Sequence, residues 1–178
     1  MNGRLPRGIR NNNPGNLDYV GQAGAHLETD VGSPRFAVFP TMDDGIRALR
    51  DQLVRYAVRG LKTVAAIIST YAPAGENDTA AYIATLCRQM NVAPDRVLDM
   101  DDPAIQQHMI YGITIMENGP GHISLTQINR ALHTASDTTG TLLTSASWRG
   151  TEHDHAPGTP PVSAGCGGGF TLPTMGQD

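Results

Sequence analysis

The sequence predicts a mainly α-helical fold: a helical domain over residues 1–136 with a small, irregular β/loop lobe at its N-terminal end, and a disordered tail over residues 137–178. Three observations lead there. From Thr41 onward, apolar residues recur at helical spacing in stretches bounded by capping and breaking residues. The first forty residues are instead rich in turn formers: Asn11-Asn12-Asn13-Pro14-Gly15-Asn16, then Gly21, Gly24, Gly32 and Pro34. Residues 137–178 hold Gly165-Cys166-Gly167-Gly168-Gly169 and four prolines with no sustained apolar period, too little apolar surface to offset the entropy of ordering them.

In chain order, the N-terminal lobe reads as a loop followed by at most a small hairpin built from Leu17 to Val20 and Phe36 to Phe39. Thr41 with Asp44 caps a first helix whose buried face is Ile46, Leu49, Leu53 and Tyr56, and Gly60 stops it. Thr63 starts a short second helix with Val64, Ile67, Ile68 and Tyr71, ended by Pro73. Asn77 or Asp78 caps a third, with Tyr82, Ile83, Leu86, Cys87 and Met90 on one side. Asp101 and Asp102 before Pro103 suit the positive end of a fourth helix, which runs through Ile105, Met109, Ile113 and Met116 to Glu117. Ser124 with Gln127 opens a fifth, bearing Leu125, Ile128 and Leu132.

Charge and composition narrow the function. The tail sets four acids against Arg149, which leaves the body close to neutral and argues against nucleic acid as the main partner, since phosphate binding needs a basic surface. Cys87 and Cys166 lie in unlike settings that do not suggest a disulfide, and no metal-ligand spacing surrounds either, so neither metal nor cofactor is expected. His153 and His155 have strand-like ligand spacing, but in a flexible tail they would bind metal weakly. The N-terminus lacks an apolar signal region and no stretch is long enough to span a membrane. Synthesis in the cytoplasm is expected, with any work at the cell wall or periplasm requiring an export route, a lysis pore or delivery inside a particle.

The chemically informative stretch is Ile113-Thr114-Ile115-Met116-Glu117-Asn118-Gly119, an apolar helix ending in a lone carboxylate. The negative end of the helix dipole and the apolar surroundings both raise a glutamate pKa. A carboxyl group kept partly protonated near neutral pH is what a general acid needs to protonate a leaving oxygen, as in glycosidic cleavage. The plain alternative is a glutamate at a frayed helix end pointing into water.

Arg7-Gly8-Ile9-Arg10-Asn11-Asn12-Asn13-Pro14-Gly15-Asn16-Leu17, Phe36-x-x-Phe39, Gly45-Ile46-Arg47-Ala48, Arg59-Gly60 with Thr63, Tyr71-Ala72-Pro73 and Glu76-Asn77-Asp78-Thr79-Ala80-Ala81-Tyr82-Ile83 together resemble a group of phage-encoded virion or lysis proteins of the lysozyme-like superfamily. The likeness covers about residues 7–120. More distantly, Asn16-Leu17 through Phe39 and the helix after it is similar to the order in bacterial cell-wall glucosaminidases and lytic transglycosylases. There a helix carrying the catalytic Glu precedes the Asn-rich segment, whereas here no Glu precedes Asn11 and the corresponding helix end reappears at Ile113 to Gly119. The resemblance thus implies a lysozyme-like, circularly permuted domain, which is acceptable when termini lie at the surface.

What the resemblance implies for the site is a peptidoglycan-cleaving enzyme acting on the MurNAc–GlcNAc linkage, with Glu117 as general acid and bacterial peptidoglycan as partner, alongside other virion or secretion components. Asn11, Asn13 and Asn16 offer amides to acetamido and hydroxyl groups, although such clusters also serve simply as turn formers. Arg10 could meet a muramyl peptide carboxylate, and Tyr71 and Tyr82 could line the sugar cleft or sit half-buried in the core. Glu28, with Asp30, lies in the lobe where those enzymes place a second carboxylate and is the candidate second catalytic residue. Without it, Glu117 would act alone, closing an anhydro ring in a lytic transglycosylase. The rival class is a virion or secretion-associated protein that keeps the fold, binds glycan and has no turnover.

Overall fold

The computed structural model describes residues 5–29, 31–75 and 78–141. The chain forms α1 (Arg7–Arg10), β1 (His26–Leu27), β2 (Ala37–Val38), α2 (Met42–Val58), α3 (Val64–Tyr71), α4 (Thr79–Met90), α5 (Pro103–Asn118) and α6 (Leu125–Thr141). The fold is therefore mainly helical, with a two-stranded antiparallel sheet pairing His26 with Val38 and Leu27 with Ala37. The first apolar piece, Leu17 to Val20, forms no strand and contributes only an isolated bridge from Asp18 to Phe36. The short helix α1 was not expected from its composition.

Capping follows the sequence closely. Thr41 and Asp44 exchange hydrogen bonds in a reciprocal box at the start of α2. Thr63 accepts from the Ala66 N–H at the start of α3, Asp78 from Ala81 at α4 and Asp102 from Ala104 at α5. Ser124 Oγ accepts from the Gln127 N–H where α6 begins. Each satisfies a donor that a helix terminus otherwise leaves orphaned. Helix α6 continues to Thr141, past the residue 136 at which composition had placed the end of the domain. The tail beyond it, with Cys166, His153 and His155, lies outside the described residues, as do Asp30, Glu76 and Asn77.

The core sits between α2, α3, α4, α5 and α6: Ile46, Leu49 and Leu53 of α2, Ile67 and Ile68 of α3, Leu86 of α4, Met109, Ile110 and Ile113 of α5, and Ile128 of α6 are all without exposed surface. Met116 departs from the expected stripe. It is 36% exposed, and α5 instead turns Ile110, Thr114 and Asn118 inward, because the helix packs on α1 and α4 as well as on α2 and α6.

The Asn-rich segment threads between the hairpin, α2 and the end of α5. Asn12 and Asn16 adopt left-handed backbone conformations, φ +49° and +46°, which asparagine tolerates better than most side chains. Asn13, fully buried, donates to the carbonyls of Leu17 and Ala37, each at 2.9 Å, and accepts from the Leu17 N–H at 2.8 Å. Asn12 donates to the Phe39 carbonyl at 3.1 Å, and Asn118 of α5 donates to the Pro14 carbonyl at 2.8 Å.

Two glycines allow this close approach. A Cβ at Gly45 would overlap the Asn12 carbonyl and lie 2.8 Å from Pro14 Cδ, and one at Gly8 would lie 2.6 Å from the Asn13 carbonyl oxygen. Gly45→Ala is expected to lower stability by roughly 1–3 kcal/mol in chemical denaturation, the range for forcing atoms into a packed interior. Gly75→Ala, where a Cβ would meet nothing, should change it little. Equal effects of the two substitutions would show that the loop does not depend on contact with α2.

Candidate active site

Glu117 lies in the last turn of α5, where Asn118 turns inward to Pro14 and Gly119, at φ +80°, takes the chain out of the helix. Its carboxylate lines a cleft of about 420 Å³ that also takes in Asn16, Asp18, Gln22, Arg35, Phe36, Gln52, Tyr56, Thr70 and Tyr71. That volume falls in the range of small-molecule sites. Asn16 Nδ2 donates to Glu117 Oε2 at 2.9 Å, and the Tyr82 hydroxyl donates to Oε1 at 3.2 Å. Burial raises the Glu117 pKa above the ordinary glutamate value, while these two donors, which favour the ionised form, pull it partly back.

The other tyrosine of the pair frames the site. Tyr71 lines the cleft, and its hydroxyl donates to the Gly15 carbonyl, the residue just before Asn16. Burial, with Glu117 nearby, holds its phenol well above the usual range, so it stays a neutral donor. Across the cleft Arg35 Nε donates to Asp18 Oδ1 at 2.7 Å, and the Arg35 guanidinium lies over the Phe36 ring at 5.4 Å.

The structure brings together Glu117, Asn16 and Tyr71 in the cleft and corrects the other expected binding residues. Asn11 and Asn13 are buried, donate to Glu28 and to carbonyls of the loop and hairpin, and do not line the cleft. Arg10 is exposed outside the cleft and donates to the Leu5 carbonyl. Tyr82 is 3% exposed, so it offers no face for stacking and acts instead as a donor to Glu117.

Glu28 is also corrected. It is 5% exposed, and its Oε1 accepts from the backbone N–H groups of Arg35 and Phe36, each at 3.2 Å, while Oε2 accepts from Asn11 at 3.1 Å with Arg7 Nε at 3.7 Å. Burial alone would push its pKa up. The Phe36 and Arg35 N–H groups, the Asn11 amide and the Arg7 guanidinium outweigh that and hold it below the ordinary value. A carboxylate so engaged ties α1 and the Asn-rich loop to the hairpin and has no oxygen aimed into the cleft.

Sequence reasoning missed Asp18, Gln22, Arg35, Gln52 and Thr70 as cleft residues. For Gln52 a signal existed: it lies one helical turn before Tyr56, at the polar edge of the buried stripe. For the pairing of Asn16 with Glu117, which are 101 residues apart, no local pattern did, and only the resemblance to a permuted domain implied that the two segments meet. Among the described residues no cluster of His, Cys, Asp or Glu could hold a metal ion, and no helix is long and apolar enough to cross a membrane.

Fold and site together define a small helical protein with a half-buried glutamate at the wall of a polar cleft. No family model matches the chain. It is 36% identical over 129 residues to Protein P5 of Pseudoalteromonas phage PM2, covering 70% of this chain and 78% of that one. The chain belongs to the family of that phage protein.

The lowered pKa of Glu28 predicts a pH-dependent stability. A depressed folded-state pKa contributes stability that is present above the unfolded value and lost as pH falls through the folded one. Glu28→Gln should therefore be less stable than the parent by about 1–3 kcal/mol at neutral pH, as for loss of hydrogen bonds to a buried charge. The gap should close on acidification. A constant gap across a pH series of denaturation curves would show that Glu28 acts through packing alone.

Proposed function

We propose that the chain is a peptidoglycan-degrading glycosidase of lysozyme-like type, cleaving the MurNAc–GlcNAc linkage with Glu117 as general acid, and carried by a phage for wall penetration or lysis. The observation that carries this reading is the hydrogen bond from Asn16 to Glu117. It joins the Asn-rich segment to the end of α5 in space, the juxtaposition that the resemblance to permuted wall-cleaving enzymes requires. A phage protein in the same family supports the setting.

Chemically, a glutamate with a raised pKa beside an open cleft can hold a proton near neutral pH and deliver it to a glycosidic oxygen as the bond breaks. The polar side chains of Asn16, Gln22, Gln52 and Thr70 provide donors and acceptors for acetamido and hydroxyl groups, and Tyr71 and Tyr56 provide apolar surface.

Two routes remain distinct in their needs. Hydrolysis uses a second carboxylate, at about 5 Å for retention or about 6.5–9.5 Å for inversion. With Glu28 committed elsewhere, Asp18 is the carboxylate that shares the cleft with Glu117. Asp18 is bound to Arg35, and its side chain is half exposed. The transglycosylase route needs only Glu117, which first protonates the leaving oxygen and then accepts the proton of the muramyl C6 hydroxyl as that oxygen closes onto C1. We favour this single-glutamate route.

The test is purified protein on isolated sacculi with mass spectrometry of the soluble products. Glu117→Gln should lower the rate at least about a hundredfold, as expected on losing a general acid. Asp18→Asn should keep most activity, and the products should lack a reducing end and be lighter than hydrolysis products by one water. Reducible ends together with an inactive Asp18→Asn variant would make Asp18 the second catalytic carboxylate. Binding to sacculi without soluble products would instead show a glycan-binding virion protein with no turnover.

A further inference from the structure

Tyr82 is buried, and its hydroxyl reaches the carboxylate of Glu117 from α4, an element that otherwise takes no part in lining the cleft. A phenol removed from water needs a hydrogen-bond partner, and an apolar core side chain at this position would have avoided that requirement. Its target is the one carboxylate in the cleft wall that is also held from the other side, by Asn16. The two donors take one oxygen each, Tyr82 at Oε1 and Asn16 at Oε2, so the plane of the carboxyl group is fixed by two separate parts of the chain.

We propose that Tyr82, paired with Asn16, is the positioning residue of Glu117: it holds the carboxyl plane against the cleft and sets the pH at which the group gives up its proton. This rests on the reading of Glu117 as the general acid. The two donors are unlike in one respect. The Asn16 amide nitrogen can only donate, whereas a tyrosine hydroxyl donates to the ionised carboxylate and can turn to accept from the protonated acid. Tyr82 can therefore stay bonded through both halves of a proton-transfer cycle, while Asn16 consistently favours the ionised form.

Tyr71 comes from α3, Tyr56 and Gln52 from α2, and Asp18 with Arg35 from the opposite wall. Helix α6, which also packs on α5, turns Arg130 to Asp43 at the start of α2. Tyr71 stays neutral across the working range, and what shifts Glu117 is its burial, opposed by the Asn16 and Tyr82 donors.

The experiment is a carboxyl-carbon NMR titration of Glu117 in the full chain, parent against Tyr82→Phe, with Asn16→Ala as a second, independent arm. Removing either donor strips support from the ionised form, so the Glu117 titration should move to higher pH in both variants. In the sacculus assay, Tyr82→Phe should lower kcat about tenfold, the loss expected for one hydrogen bond to a charged group. KM should change little, and the alkaline limb of the rate profile should move up with the titration.

A Tyr82→Phe variant that folds and leaves the Glu117 titration unmoved would overturn the proposal, because a tyrosine that merely fills space would lower melting temperature without touching that titration. Should Tyr82→Phe fail to fold, an unmoved titration in Asn16→Ala would overturn the two-donor arrangement by itself. The NMR result does not depend on turnover. A shifted titration in a parent that releases no wall fragments would therefore sink the enzymatic reading and leave the positioning geometry standing.

Discussion

The structure depends on the close contact between the Asn-rich segment and the helices it crosses. A run of polar residues is drawn into the interior here, and every amide brought in must find a partner, since an unpaired buried polar group costs more than a made bond returns. The Nδ2 groups of Asn12, Asn13 and Asn118 meet that demand by donating to carbonyls of the loop and hairpin, whereas the buried Oδ1 atoms of Asn16 and Asn118 have no partner within the chain. Gly8 and Gly45 meet the steric one by leaving room for the loop's carbonyls. With this segment seated, Asn16 donates to Glu117 at the end of α5.

Two glutamates show how the same side chain is sent in opposite directions by its surroundings. Glu28 is surrounded by donors, two from hairpin backbone, one from Asn11 and a guanidinium close by, so the charged form wins in spite of burial. Glu117, half-buried, has only two donors and no guanidinium beside it, and the neutral form gains. The first arrangement stabilises the fold at neutral pH. The second carries a cost to stability as pH rises through its raised pKa, because the folded chain must then hold a poorly solvated charge. Such a cost at the wall of an open cleft fits a group kept for chemistry rather than for stability.

The relationship to a phage protein spans most of both chains. The Asn-rich loop, the segments that flank the hairpin strands, α2, the end of α3 and the end of α5 are the parts that build the cleft. The loop divides its asparagines: Asn11, Asn12 and Asn13 hold it in place, and Asn16 faces the carboxylate.

The helices were legible in the sequence because their signals are local. Thr41 with Asp44, Thr63, Asp78 and Asp102 act within one turn of where they stand, and stripes such as Ile46, Leu49, Leu53 and Tyr56 need only the 3.6-residue period to be read. The raised pKa of Glu117 was also foreseen, though for a partly different reason: Met116 is exposed, and it is the burial of the carboxylate against the cleft wall that matters. Tertiary structure alone decided which polar residues are structural and which face the cleft. Asn13 and Asn16 are alike in type and three positions apart, yet one is sealed inside and the other touches Glu117. That choice follows from left-handed turns at Asn12 and Asn16 and from contacts across 101 residues of chain, which no local pattern encodes. Glu28 was misread for the same reason, since the donors that engage it come from a hairpin register and a helix that exist only once the chain has folded.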